Sequence, residues 1–209
     1  MTDFVEFLKN NPYPGRGIVV GSDRVYYFIM GRSENSRNRV FKLTDDGIRT
    51  EAYQPEKMKD PSLVIYNAVH HVNGALVVTN GDQTDTIRDF GDFRKGLMTR
   101  EYEPDEPNYT PRISAIVNED GSVEMSILKR VDGRCAREFF CYEGISEGKG
   151  YFISTYCGDG TTKSYSGEPM EIEVPDADTV WDALNKDNKI SLYANVKGEV
   201  KIYNKNLGD

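Results

Sequence analysis

The hydrophobic positions of this chain fall in short runs bounded by Gly, Asp, Asn or Ser, a pattern typical of antiparallel strands joined by tight turns. Asn73-Gly74 is the clearest hairpin signal, because this pair readily adopts the left-handed backbone that a two-residue turn needs. Thr-Asp-Asp-Gly at residues 44–47 indicates a second hairpin. The pattern predicts strands over residues 16–21, 24–30, 40–43, 48–53, 63–72, 75–79, 113–117, 123–128, 151–156, 190–196 and 200–203.

Two stretches have the spacing of a helix instead. The apolar residues between positions 87 and 98 recur every three to four residues and predict one amphipathic helix, interrupted at Gly91 and Gly96. Residues 176–184 predict another helix, with Asp176 or Asp178 near its N-terminus. A Gly-rich loop is predicted at residues 158–160. Because strands follow strands, the chain is predicted to be an α+β layered protein and not a βαβ array.

Composition limits the classes of function. A length of 209 residues suits one large sheet-rich domain, which we expect to span residues 1–209. With 26 Lys and Arg against 34 Asp and Glu, the net charge is −8, which would repel a polyanionic backbone. We therefore expect no nucleic-acid partner. A small phosphorylated ligand remains compatible, since a few arginines can form a positive pocket within an acidic protein.

Cysteine and histidine give no indication of a metal site. Cys135, Cys141 and Cys157 lack metal-ligand spacing and are interpreted as reduced thiols. His70 and His71 are adjacent on a predicted strand and so point to opposite faces. The N-terminal stretch has acidic residues within its short apolar run, and no run approaches the ~20 residues of a membrane span. We therefore expect a cytoplasmic protein without membrane association.

Common cofactor and nucleophile motifs are missing from the sequence. It contains neither the phosphate-binding GxxxxGK[ST] nor the dinucleotide-binding GxGxxG. It also lacks the GxSxG turn that presents a nucleophilic serine. ATP and nicotinamide cofactors therefore have no support from motifs.

Four arginines lie near the ends of predicted strands. Arg32, Arg37 and Arg39 share the segment 31–39, and Arg16 precedes the first strand. Guanidinium groups bind phosphate in a bidentate manner. For any one arginine the favoured interpretation is a solvated surface residue, so only the convergence of two or more favours a ligand site.

Polar residues also interrupt or end two apolar runs. Tyr66-Asn67 lies within one run, where strand alternation places one of the two side chains inward. A buried tyrosine hydroxyl needs a partner, which is either the backbone or a substrate. Asn80-Gly81 ends a strand with hydrogen-bonding groups and room for close approach. The alternative is a plain turn before a helix capped at Asp82 or Thr84.

An acidic cluster lies between residues 101 and 106 and contains Glu101, Glu103, Asp105 and Glu106. Burial of one carboxyl beside another would raise its pKa and suit it to proton transfer. Most acidic clusters are solvated, so two or three of these carboxylates are expected to face water. Arg112 follows, either to neutralise the cluster or to face a ligand.

Several segments together resemble a known family. They are residues 11–17, 31–37, Tyr66-Asn67, 79–85, 102–106 and 110–112. In this order and at this approximate spacing, they resemble the archaeal-type inosine monophosphate cyclohydrolases and their bacterial relatives. The resemblance covers about the first 130 residues, with residues 151–156 as its main later part. Archaeal members commonly have His where this chain has Gln83.

The resemblance implies a fold and a reaction. The fold would be a four-layer α-β-β-α sandwich similar to N-terminal-nucleophile hydrolases, without their self-cleavage, so that Thr2 is not catalytic. The reaction would close the purine ring of 5-formamidoimidazole-4-carboxamide ribonucleotide (FAICAR) to give inosine monophosphate (IMP) and water. No cofactor would be required, and a homo-oligomer is compatible with the family.

The resemblance also implies roles for named residues. Glu103 would act as acid and base, and Tyr66 would donate its hydroxyl to the formyl oxygen. Arg32 or Arg37 would carry the developing charge or bind the phosphate. The implied substrate-binding residues are Arg16, Asn67, Asn80, Gly81, Asp82 and Arg112.

Other classes of function stay open at the level of sequence. The chain could be a non-catalytic module that binds purine nucleotides, or a relative that acts on another nucleotide. An amidohydrolase of the terminal-nucleophile type would require processing to expose Ser, Thr or Cys.

Overall fold

The computed structural model describes residues 2–156 and 168–209, which form a mixed α+β structure. The helices are α1 (Phe4–Asn10), α2 (Glu34–Arg37), α3 (Gln83–Phe90), α4 (Phe93–Met98) and α5 (Ala177–Ala183). The strands are β1 (Arg16–Gly21), β2 (Arg24–Met30), β3 (Arg39–Thr44), β4 (Gly47–Ala52), β5 (Asn67–Val72), β6 (Ala75–Thr79), β7 (Arg112–Val117), β8 (Val123–Val131), β9 (Arg134–Tyr142), β10 (Lys149–Ser154), β11 (Met170–Glu173), β12 (Lys189–Val196) and β13 (Glu199–Asn204). Within the described ranges, no helix is long and apolar enough to cross a membrane.

The strands form two antiparallel sheets. One sheet has the order β11-β10-β1-β2-β12-β13, and the other runs β3 to β9 in sequence order. The predicted hairpin at Asn73-Gly74 is present, with Val72 opposite Ala75. Its two turn residues have φ values of 51° and 85°, which is the left-handed backbone that a primed turn requires.

Three apolar clusters hold the elements together. The largest contains inward side chains of both sheets, including Tyr27 on β2 and Ile113 on β7. A second cluster joins α1 and α5, through Leu8 and Trp181, to the first sheet. The third packs α3 and α4, through Ile87 and Leu97, on the second sheet. The sheets therefore share one core, and helices cover parts of their other faces.

The α+β prediction and most predicted strands are confirmed. The helix predicted over residues 87–98 is two helices, because Gly91 ends α3 in a left-handed conformation. The pattern missed α1, α2, β9 and β11. The predicted loop at Gly158–Gly160 and Cys157 lie outside the described residues.

The strand predicted over residues 63–72 is wrong at its start, since β5 begins at Asn67. Thr50 of β4 holds Tyr66, the residue just before β5, through two hydrogen bonds. The Thr50 N–H donates to the Tyr66 carbonyl at 2.9 Å, and the Tyr66 N–H donates to Thr50 Oγ1 at 2.9 Å. The register between β4 and β5 shifts just after Ile48. This irregularity places Tyr66 inward, between the two sheets.

Candidate functional site

A cleft of about 290 Å³ lies where loops from both sheets meet. Arg16 enters from the start of β1, Arg32 from the loop after β2, and Arg39 from the start of β3. Glu103 comes from the loop between α4 and β7, and Tyr156 follows β10. Sequence-distant side chains therefore meet in one cleft that carries more guanidinium than carboxylate groups.

Glu103 is the buried carboxylate of this cleft. Arg16 Nη2 donates to Glu103 Oε2 at 3.3 Å, and the Glu103 side chain is only 3% exposed. Burial raises the pKa of Glu103, and the charges of Arg16 and Arg112 oppose this rise. Burial lowers the pKa of Arg16, but the combined charge interactions with Glu103 and three neighbouring tyrosines outweigh burial and place this pKa well above its ordinary value. A carboxyl whose pKa is raised by burial is better suited to proton transfer than a solvated one.

Asn80 fixes the position of Glu103. Its amide nitrogen donates to Glu103 Oε1 at 3.4 Å and to the Pro111 carbonyl at 2.9 Å. Its amide oxygen accepts from Gln83 Nε2 and from the Ile113 N–H, both at 2.9 Å. Asn80 is fully buried, and these four bonds use its hydrogen-bonding capacity. The residue therefore holds the carboxylate from behind, where a ligand does not reach it.

Arg112 extends this network away from the cleft. Its Nη1 lies 2.7 Å from both Gln83 Oε1 and Asp82 Oδ1. Arg100 contacts the other oxygen of Asp82 at 2.5 Å. A Cβ on Gly81 would lie 2.6 Å from Arg112 Nη1 and 2.7 Å from Gln83 Oε1, so only glycine leaves room for this contact. Gly81, Asp82 and Arg112 thus form the support behind Glu103.

Arg39 is a buried cation on the cleft wall, with 1% exposure. Its Nε donates to the Ser36 carbonyl at 2.8 Å, and its Nη2 donates to the Met30 carbonyl at 3.2 Å. Its Nη1 is buried and has no hydrogen-bond partner among the described residues. Burial lowers the pKa of Arg39, and the Tyr66 phenol opposes this effect. A fixed guanidinium whose Nη1 has no protein partner among the described residues is suited to bind negative charge on a ligand.

Tyr66 is buried, with 5% exposure, and follows Leu63 and Val64, which line the cleft. Its hydroxyl contacts the hydroxyl of Tyr27, with 2.7 Å between the oxygens. The phenol of Tyr66 acts electrostatically on both Arg16 and Arg39. Tyr66 is therefore brought together with the two buried guanidinium groups of the cleft.

Aromatic rings form one wall of the cleft. Tyr13 and Tyr156 stack with their ring centroids 5.9 Å apart, and the Arg32 guanidinium carbon lies 4.1 Å from the Tyr13 centroid. The Tyr156 hydroxyl is hydrogen-bonded to the Thr110 hydroxyl. Such a stacked surface suits a planar heterocycle.

Two predicted residues lie elsewhere. Arg37 lines a neighbouring groove of about 490 Å³ and not the cleft. Its Nε donates to the Gly31 carbonyl at 3.0 Å, and its Nη2 donates to Asn188 Oδ1 at 3.3 Å. Asn67 donates to Asp85 Oδ1 of α3 at 2.9 Å. As the strand alternation predicted, one side chain of the pair faces inward: Tyr66 lies in the core, and Asn67 faces α3.

The sequence interpretation did not select several cleft residues. The sequence places Arg39 in one segment with Arg32 and Arg37, although its position at the start of an apolar strand is a signal for an inward-facing charge. Tyr27 lies in an apolar run in which alternation alone could have marked it as inward. Tyr13 and Tyr156 lie in segments of the family resemblance, residues 11–17 and 151–156, but only the fold brings their rings together.

No metal site is found in the part of the chain that the structure describes, where no group of three or more His, Cys, Asp or Glu side chains could hold an ion. Cys135 and Cys141 are free thiols.

The fold and the cleft define an α+β protein with a small, arginine-lined site built around one buried carboxylate. Residues 13–201 match the model of the family described as IMP cyclohydrolase-like protein. The chain belongs to this family, as the sequence motifs indicated.

Curated archaeal relatives support the same assignment. The IMP cyclohydrolase of Methanosphaera stadtmanae is 31% identical over 159 residues, which are 69% of this chain and 73% of the relative. That of Methanococcus aeolicus is 29% identical over 160 residues, covering 69% of this chain and 74% of the relative. That of Methanocaldococcus jannaschii is 31% identical over 159 residues, covering 69% and 73%.

Proposed function

We propose that this chain is an IMP cyclohydrolase that converts FAICAR to IMP and water in purine biosynthesis. Membership of the family and the name of the archaeal relatives support this activity. The observation that carries the assignment to this cleft is the buried Glu103, paired with Arg16 and held from behind by Asn80. The burial of this carboxylate and the upward direction of its pKa shift support an acid–base role.

The reaction makes three demands on a site. A carboxamide nitrogen is a weak nucleophile, so it must be held against the formyl carbon and must lose a proton. The formyl oxygen becomes negative as the new bond forms, so hydrogen-bond donors must face it. This oxygen must finally leave as water.

Glu103 meets the demand for proton transfer. Its carboxylate takes a proton from the carboxamide nitrogen as this nitrogen bonds to the formyl carbon. The resulting carboxylic acid returns the proton to the former formyl oxygen, which gives a neutral hydroxyl adduct. The hydroxyl then leaves with the proton of the former formamide nitrogen, and the carbon–nitrogen double bond of the ring forms. One water is released, and no oxidant or reductant is needed.

Tyr66 and Arg39 meet the demand for charge stabilisation. We assign the Tyr66 hydroxyl and the spare Nη1 of Arg39 to the formyl oxygen, since both belong to the same electrostatic cluster. Two donors fixed before the reaction need little reorganisation when charge develops. In this assignment Arg39 takes the catalytic role that the sequence suggested for Arg32 or Arg37.

The substrate-binding role is assigned to the open wall of the cleft. Tyr13 and Tyr156 offer a surface for the imidazole, and Arg32 lies at its exposed end, where it can meet the phosphate. Asn80, Gly81, Asp82 and Arg112 are reassigned from substrate binding to positioning, because their partners are protein atoms. Asn80 contacts Glu103 and Gln83, and Arg112 contacts Gln83 and Asp82.

The overall architecture is consistent with this family assignment. We propose that the helices on either side of the paired sheets make a four-layer α-β-β-α sandwich of the type found in N-terminal-nucleophile hydrolases. The shared core between the sheets supports a single domain over residues 1–209. None of the proposed steps uses a terminal nucleophile.

Ultraviolet assays of FAICAR cyclisation test the proposal. The purified chain is expected to form IMP, and Glu103→Gln is expected to reduce kcat by at least 10²-fold, because it removes the proton acceptor. Tyr66→Phe is expected to reduce kcat with the fold intact, since it removes one donor to the formyl oxygen. Thermal unfolding of each variant checks the fold.

The alternatives give different results. A non-catalytic nucleotide-binding module would be stabilised by IMP without turnover. A terminal-nucleophile amidohydrolase would lose N-terminal residues, which intact mass would detect. Unchanged turnover in both Glu103→Gln and Tyr66→Phe would refute the assigned roles.

A further inference from the structure

The Tyr27 hydroxyl is a buried polar group that the proposed steps do not use. Tyr27 lies on β2, is fully buried and stacks on Phe41 with ring centroids 5.5 Å apart. Its oxygen lies 2.7 Å from the hydroxyl oxygen of Tyr66. In residues 2–156 and 168–209, the Tyr27 hydroxyl has no other hydrogen-bond partner.

The number of hydroxyl protons decides which tyrosine of this pair is the donor. Each hydroxyl has one proton, and the contact between the oxygens uses only one of the two. If Tyr66 were the donor, the Tyr27 proton would remain buried without an acceptor, which is unfavourable. If Tyr27 is the donor, its proton is satisfied and the proton of Tyr66 is left over.

The hydroxyl proton of Tyr66 can be donated to a ligand in the cleft. Both phenols interact electrostatically with Arg16 and Arg39, which line the cleft, and the interaction of Tyr66 is the stronger in each case. Tyr66 is also 5% exposed, whereas Tyr27 is fully buried. Guanidinium groups only donate hydrogen bonds, so neither arginine can accept this proton. An acceptor atom of a ligand in the cleft can.

We propose that Tyr27 is a positioning residue that donates its hydrogen bond to Tyr66 and thereby commits the Tyr66 hydroxyl to the substrate. This inference rests on the proposed function, in which Tyr66 donates to the formyl oxygen. A hydroxyl that accepts a hydrogen bond becomes a better donor, so Tyr27 also strengthens the bond from Tyr66. Tyr27 itself does not touch the substrate.

Kinetics of Tyr27→Phe test this role. The variant removes one oxygen from the core and leaves Tyr66 free to rotate or to donate elsewhere. We expect kcat for FAICAR cyclisation to fall about tenfold, with KM changed less than threefold, since the lost contact acts on the reacting oxygen. In the double variant with Tyr66→Phe, we expect no further loss beyond that of Tyr66→Phe alone, because Tyr27 acts through Tyr66.

Tyr193→Phe is the matched control. Tyr193 lies directly opposite Tyr27 in the β2–β12 register, belongs to the same core and is also buried. Its hydroxyl accepts from Asn195 Nδ2 at 3.3 Å and does not contact Tyr66. We expect Tyr193→Phe to keep the kcat of the unmodified chain. Additive losses in the double variant, or equal kcat in Tyr27→Phe and Tyr193→Phe, would overturn the inference.

A readout without turnover separates this inference from the proposed function. Neutron diffraction of the unmodified, deuterium-exchanged chain locates the hydroxyl deuterium atoms directly. We expect the deuterium between the two oxygens to be bonded to Tyr27. Finding it on Tyr66 would refute the direction of the bond, whether or not the chain cyclises FAICAR. Absence of turnover with the expected deuterium position would refute the proposed function instead.

Discussion

Neighbouring arginines oppose the effect of burial on the pKa of Glu103. Arg16 contacts the carboxylate directly, and Arg112 acts from the support behind it. Burial raises the pKa of Glu103, and both cations hold that rise back. The proton affinity of this residue is therefore a balance of burial against neighbouring charge.

Removing Arg16 should move the pH dependence of the reaction. In Arg16→Met the largest opposing charge is lost, so the pKa of Glu103 rises further. Because the carboxylate form is the base, more of the enzyme is inactive at a given acidic pH. We expect the acidic limb of the kcat profile to shift to higher pH.

Arg49→Met is the control for that shift, since Arg49 is an exposed arginine of β4 outside the cleft. It should leave the acidic limb in place. An acidic limb that stays unchanged in Arg16→Met would contradict the assignment of Glu103 as the base.

Arg39 and Arg37 provide a second prediction at this scale. Arg39 keeps one buried nitrogen free among the described residues and lines the cleft, whereas Arg37 lies in the neighbouring groove. We expect Arg39→Met to reduce kcat by about 10²-fold, as loss of an oxyanion donor does in other enzymes. Arg37→Met should change kcat about twofold or less. Steady-state kinetics of the two variants compares them, and the reverse order would refute our assignment.

The sequence alone could not separate these two arginines. Both lie in one polar segment, and guanidinium chemistry is the same at each position. The difference arises because the Arg39 side chain is anchored by the carbonyls of Ser36 and Met30, which depends on the path of the loop. For Glu103, by contrast, an acidic cluster and the family motif were sufficient to select the residue.

At the scale of elements, the contact between α3 and α4 depends on one glycine. A Cβ at Gly96 would lie 2.8 Å from the Cα of Ile87, closer than packed atoms approach. Alanine normally stabilises a helix relative to glycine by about 1 kcal/mol. Here the overpacking cost of about 1–3 kcal/mol opposes that gain.

We therefore expect Gly96→Ala to lower the free energy of unfolding by on the order of 1 kcal/mol, because the two helices must separate. Urea denaturation measures this change. Met98→Ala, at an exposed position of the same helix, should be nearly neutral. An increase in stability for Gly96→Ala would show that α4 can move without cost.

The sequence predicts an element well where an uninterrupted apolar run ends at turn residues. It predicts an element poorly where the apolar run is interrupted. β1, β2 and β6 have apolar runs that end at turn residues, and their bounds agree with the prediction. β9 was missed because charged residues interrupt its apolar positions. The turn before it, Asp132-Gly133, has positive φ at both residues and was an available hairpin signal.

At the scale of the whole molecule, the site exists because the two sheets share a core. Arg16 and Tyr27 belong to the first sheet, whereas Arg39 belongs to the second, and Tyr66 and Glu103 lie in loops connected to it. Sequence patterning predicts the strands, but the relative placement of the sheets depends on side-chain packing between residues distant in the chain. That packing is why the separate polar clusters of the sequence become one cleft.

The most direct test of this account is a crystal structure of the Glu103→Gln variant with FAICAR bound. We predict the nucleotide in the cleft between Arg16, Arg39 and Tyr156, with its carboxamide nitrogen within about 3 Å of the residue 103 side chain. The formyl oxygen should face the Tyr66 hydroxyl and Arg39 Nη1. A nucleotide bound in the groove of Arg37, or one with its formyl group turned away from Tyr66, would contradict the account.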